Sequence, residues 1–132
     1  MWYSGLGATF VNIIFDLGGV LIRWEPDTVA AEYSDNREII TLIREQLFKH
    51  ADWKEYDRGS ISTTEMIKRA ADRTGLSEEA LETLMNVVIS TLHPLDGSVK
   101  LFESLHRAGY PLYCCSNIPE MFIAPLERDN RF

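Results

Sequence analysis

The chain has 132 residues, enough for one domain with a real hydrophobic core, and its 45% apolar and 25% charged residues are those of a soluble globular protein. A net charge of −7 with no basic block excludes a nucleic-acid surface, which needs clustered Lys and Arg. No apolar run approaches a membrane span, and Met1 to Phe10 lacks the basic and then apolar pattern of a secretory signal.

The first predicted element is Val11-Asn12-Ile13-Ile14-Phe15, followed by Asp16-Leu17-Gly18-Gly19-Val20-Leu21-Ile22. A short apolar run rich in β-branched residues reads as a buried strand. An unpaired carboxylate is costly in a core, so Asp16 belongs just past the strand's exit. In open parallel α/β sheets that exit is where ligands bind. Gly18 and Gly19 let the backbone turn sharply and approach a ligand closely. The plainer reading is an Asp-Gly turn with no chemistry.

Residues 27–92 show helical spacing and no strand pattern. A short helix is predicted over 27–34, capped by Asp27 after Pro26. Another is predicted over 36–50, with Ile39, Ile40, Leu42, Ile43, Leu47 and Phe48 on its apolar stripe. Trp53 and Tyr56 precede the turn signature Asp57-Arg58-Gly59-Ser60. Ser62-Thr63-Thr64-Glu65 is a capping box that opens a helix closed by Gly75. Ser77-Glu78-Glu79-Ala80 opens the next, with its acids placed against the helix dipole. Its stripe is Leu81, Leu84, Met85, Val88 and Ile89.

After His93-Pro94-Leu95-Asp96-Gly97 the spacing predicts an amphipathic helix over 98–108. A second apolar run over 110–115 then ends in Ser116-Asn117, and a last helix is predicted over 119–128. Cys114 and Cys115 are adjacent inside that run, so they cannot form a framework of loop-closing disulfides. They read as small hydrophobes in a reduced, cytoplasmic protein. His50, His93 and His106 lack metal-ligand spacing, which excludes a zinc site. A strand–helix–strand crossover implies a parallel pair. Asp16 and Ser116 therefore end separate strands at the same edge of the sheet.

Phe15-Asp16-Leu17-Gly18-Gly19-Val20-Leu21-Ile22, then a helical insert, then Tyr113-Cys114-Cys115-Ser116-Asn117, resembles the haloacid dehalogenase (HAD) superfamily. The likeness is to its first two motifs with a helical cap between them, in the subgroup related to sugar-phosphate phosphatases and epoxide hydrolase N-terminal domains. The implied fold is α/β, a Rossmann-type parallel core over 11–24 and 94–132 with a helical cap over 25–93. The implied chemistry is hydrolysis of a phosphate ester on a small metabolite. Asp16 would be the nucleophile that forms an aspartyl-phosphate. Mg²⁺ would be held by Asp16 and the Gly18 carbonyl. Ser116, Asn117 and the backbone around Leu17 and Gly18 would bind the phosphoryl group.

Two departures qualify the resemblance. The family's phosphatases carry a second Asp two positions after the nucleophile, as general acid and base, where this chain has Gly18. A group on the cap such as Asp57, or a water, would have to replace it. A sugar 1-phosphate or an acyl phosphate needs that help less. Carbon–halogen cleavage needs no leaving-group acid, so a 2-haloacid dehalogenase is an alternative, though that motif usually has an aromatic residue at the Gly18 position. The family's later Lys and its strand-ending acidic pair are also missing. After Ser116 come Glu120, Glu127 and Asp129 but no Lys. The chain therefore reads as a truncated core, with an inactive interaction module as the other functional class. Two strands make a poor sheet alone, which suggests self-association or pairing by the N-terminal residues. Arg23 and Trp24 are placed at the cap–core cleft, with Trp24 as hinge packing. Trp53 and Tyr56 are read as cap core or cleft wall.

Overall fold

A computed structural model describes residues 11–128; Met1 to Phe10 and Asp129 lie outside the described residues. β1 (Ile13–Phe15) is followed by five helices, α1 (Pro26–Tyr33), α2 (Arg37–Ile43), α3 (Ala51–Asp57), α4 (Thr63–Thr74) and α5 (Glu78–Thr91). Then come α6 (Asp96–Arg107), β2 (Leu112–Cys114) and α7 (Glu120–Arg128). β1 and β2 pair in parallel, with Ile13, Ile14 and Phe15 opposite Leu112, Tyr113 and Cys114. The α6 crossover explains the parallel sense, as predicted. Among the described residues no helix is long and apolar enough to cross a membrane.

Most of the core lies in the helical segment. Leu81, Leu84, Met85 and Val88 of α5 are fully buried, the stripe that helical spacing requires. They pack in one cluster with Val29 and Ala30 of α1, Ile43 of α2 and Met66 of α4. The sheet is buried on one side only. Phe15 meets Phe102 of α6 with ring centroids 5.3 Å apart. On the other face, Ile14 is 66% exposed and Tyr113 55%. This corrects the expectation of a fully buried strand. Cys114 and Cys115 are likewise exposed rather than packed as core.

Local starts and stops differ in detail from the predicted ones. α1 begins at Pro26 and has no side-chain cap; Asp27 sits in its first turn instead of capping it. Pro suits that position because the first helical N–H has no partner to lose. Asn36 caps α2 through Glu38 N–H and Ile39 N–H. The long predicted helix then widens into a π-turn over Arg44–Phe48. Ser62 accepts from Glu65 N–H at 3.1 Å, but Glu65 turns its carboxylate to Arg69 at 2.7 Å. Only half of the capping box forms. Gly75 ends α4 with φ +74°, as expected.

The helical segment leaves and rejoins the sheet through one paired crossing. Arg23 N–H donates to the His93 carbonyl at 2.8 Å, and Leu95 N–H to the Leu21 carbonyl at 2.8 Å. Just before it, the loop after Asp16 folds on itself. The Leu17 carbonyl accepts from Val20, Leu21 and Ile22, and Gly19 N–H donates to the Ile22 carbonyl at 2.7 Å. That closure requires φ +74° at Gly19. Gly19→Ala is expected to cost about 1–2 kcal/mol in urea unfolding, because an L side chain is strained there. Gly18→Ala is the control: its Cβ would meet Trp24 Cβ at an ordinary 3.8 Å, so its midpoint should hardly move.

Candidate active site

Asp16 follows β1 directly, and Ser116 lies two residues past β2. Because the strands are parallel, both leave the sheet at the same edge. The Asp16 side chain is exposed, and its Oδ1 accepts from Leu17 N–H at 2.7 Å. Cys115 N–H donates to the Phe15 carbonyl at 2.9 Å, which extends the pairing up to the two site residues.

Asp16, Gly18, Ser116 and Asn117 line one cavity of about 190 Å³. The helical segment adds Trp53 and Asp57 of α3 to the lining, and Trp24 lines it from the crossing. Leu17 is the predicted site residue that does not join them. It lines a neighbouring apolar cavity of about 430 Å³, which Ser116 also borders. Its N–H is engaged by Asp16. Arg23 is half exposed and pairs with Glu25 at 4.0 Å. Trp24 serves as both hinge packing and wall: it stacks on Trp53 with centroids 5.7 Å apart and planes within 7°.

α3 is fixed from the side away from the cavity. Asp52 accepts from Arg73 of α4 at 2.8 Å, and Arg73 also donates to the Gln46 carbonyl at 2.8 Å. Burial pushes the Asp52 carboxyl up, but the Arg73 hydrogen bond and charge outweigh it and hold it below its ordinary value. His50 caps the same helix, accepting from Asp52 N–H at 3.2 Å. Lys68, Glu78 and Glu79 are on exposed surface.

Asp57, the last residue of α3, is the electrostatic anomaly. Burial raises its carboxyl to about 6, with no hydrogen bond or opposite charge beside it to pull it back. A carboxyl raised on folding contributes stability that is fully present below the ordinary carboxylate range and is lost as pH rises through about 6. Asp57→Asn is therefore expected to raise the melting temperature near neutral pH and to leave it unchanged at about pH 4. Thermal scans at both pH values check this.

Beyond Trp24 and Trp53, the apolar part of the wall was not evident from the sequence. Ile22, Leu92 and Phe122 all line the cavity. Their signal is weak, since each also reads as ordinary core. Among the described residues no group of three or more His, Cys, Asp or Glu is placed to hold a metal ion. The Asp16 carboxylate and the Gly18 carbonyl are nevertheless hard oxygen donors of the kind Mg²⁺ takes, alongside waters and phosphate oxygens. No backbone N–H among the described residues donates to the Gly18 carbonyl.

No protein-family model matches the chain. Its backbone is similar to a HAD family enzyme from Bacteroides thetaiotaomicron, crystallised with magnesium and inorganic phosphate, at TM-score 0.64 and 20% identity. The likeness covers 89% of this chain and 58% of that one. A second structure of that enzyme matches at TM-score 0.59. The chain has the HAD fold. In sequence it is 25% identical over 111 residues to a sesquiterpene phosphatase of Aspergillus oryzae, covering 84% of this chain and 53% of that protein. The chain thus spans about half the length of the proteins it matches.

Proposed function

We propose that this chain carries the nucleophile of a Mg²⁺-dependent HAD phosphatase acting on a small phosphate ester. The observation behind this reading is the meeting of Asp16 and Ser116, from two strand ends, on one cavity. Asp16 Oδ attacks phosphorus, the bond to the leaving oxygen breaks, and an aspartyl-phosphate forms. Water then releases phosphate and restores the carboxylate. The Ser116 hydroxyl and the Asn117 backbone orient the phosphoryl oxygens, and in this reading Leu17 N–H turns from Asp16 to the phosphate once the ester binds. When bound, Mg²⁺ held by Asp16 and the Gly18 carbonyl would neutralise charge on the transferring group. Residues 25–93 act as the cap over the core formed by 11–24 and 94–132.

The leaving group is apolar in this reading. Trp24, Trp53, Ile22, Leu92 and Phe122 form much of the wall. Sugar hydroxyls placed there would lose water without regaining hydrogen bonds. The A. oryzae relative's name, a sesquiterpene phosphatase, points the same way. The test is phosphate release with and without Mg²⁺ from a panel running from sugar phosphates to prenyl monophosphates. Mg²⁺-dependent release with higher kcat/KM for the apolar esters is expected. No release from any ester overturns the reading.

A further inference from the structure

We infer that Asp57 takes over the proton transfers for which Gly18 has no side chain, giving a proton to the leaving oxygen and later accepting one from the attacking water. The inference rests on the phosphatase reading and names a residue of that site. Two titratable side chains line the cavity among the described residues, Asp16 from the sheet edge and Asp57 from α3. Asp16 is committed to attack, which leaves Asp57 as the acid. Tyr56, its neighbour on α3, is not available: its hydroxyl pairs with Thr63 Oγ1 at 2.9 Å and meets Met121 Sδ at 3.8 Å. The cavity is small, so an ester held against Asp16 presents its leaving oxygen to the wall that carries Asp57.

The proton balance closes. In the first step the Asp16–phosphorus bond forms, the phosphorus–leaving-oxygen bond breaks, and the Asp57 carboxylic acid protonates the departing alkoxide. In the second, water attacks phosphorus, its proton passes to the Asp57 carboxylate, and the Asp16–phosphorus bond breaks. Each turnover returns Asp57 to the acid form. The carboxyl must therefore be protonated at the start of a cycle, which burial favours by raising it to about 6, so turnover of alkyl esters should fall as pH rises through that value. The titratable groups that face it are Asp16, which lines the same cavity, and Tyr56 on its own helix, whose hydroxyl is itself pushed up by burial and, in part, by Asp57. An unpaired, half-buried carboxylate costs stability, and a proton-transfer role accounts for keeping it.

The experiment compares leaving groups in wild type and Asp57→Asn. Hydrolysis of alkyl phosphates, whose leaving oxygen needs a proton, should fall about 10²–10⁴-fold. Hydrolysis of acetyl phosphate, which leaves as a stable carboxylate, should fall far less in its phosphoenzyme-forming step. The alkaline limb of the kcat/KM profile on alkyl phosphates, where Asp57 loses its proton, should vanish in the variant. Gly18→Asp, which has room for a side chain, should restore part of the alkyl-phosphate rate in the Asp57→Asn background. Equal loss on alkyl and acyl phosphates, or no loss on either, overturns the role of Asp57 and leaves the phosphatase reading standing. A wild-type chain inert on every ester overturns the phosphatase reading, and the inference with it.

Discussion

Asp16→Asn is expected to abolish phosphate release while leaving the fold intact. Removing a nucleophile that forms a covalent intermediate costs on the order of 10⁴-fold or more in kcat. Asn keeps the Oδ1 that accepts from Leu17 N–H at 2.7 Å, so the loop after β1 retains its local hydrogen bond. The side chain is exposed, and substitutions at such positions usually stay within about 0.5 kcal/mol. Loss of activity can then be separated from unfolding by matching melting temperatures. A second readout is covalent: rapid quench with labelled acetyl phosphate should trap label on the wild-type chain and none on the variant. A variant that keeps a tenth of the wild-type turnover would remove Asp16 from the chemistry.

The convergence of Asp16 and Ser116 was legible because it follows from topology alone. A strand, a crossover helix and a second strand force parallel pairing, and parallel strands end at one edge. The stripe of α5 was legible for a similar reason, since four residues at helical spacing admit one buried face. Other features depended on choices between local partners. Glu65 could close the capping box on Ser62 or pair with Arg69 one turn on, and in the fold it takes Arg69. The π-turn is a further case: one extra residue per turn lets both Leu47 and Phe48 face the core, and no residue type signals it. Asp57 entered the reading only as a candidate on the cap. Its place on the cavity is tertiary, fixed by the Asp52–Arg73 pair joining residues 21 apart in sequence. Periodicity carries no information about such a distance. The exposure of Ile14 and Tyr113 was misread because an apolar run gives the hydrophobicity of a strand, not how many layers cover it.

Trp53→Ala is expected to produce the largest loss of stability among the site residues, and to damage the cavity as well. Trp53 is 4% exposed. It stacks on Trp24, meets Phe48 edge-on at 4.8 Å, and meets Tyr56 edge-on at 5.7 Å. Tyr56 in turn meets Phe122 of α7 at 6.1 Å. The series runs from the crossing at Trp24 through α3 to the helix that follows Ser116. Truncating a buried aromatic to Ala typically costs about 3–5 kcal/mol, and ring pairs add about 0.5–1.5 kcal/mol each beyond burial. Set against a total of about 5–15 kcal/mol for a domain, that is a large fraction. Urea unfolding should show it directly. Trp53→Phe keeps a ring against Phe48 and Tyr56 but loses most of the overlap with Trp24. It should cost markedly less stability than Ala while still raising KM for apolar esters. If the Phe variant instead loses stability as fully as Ala, the ring stack matters for folding rather than as a wall. Selectivity for an apolar leaving group would then fall to Ile22, Leu92 and Phe122.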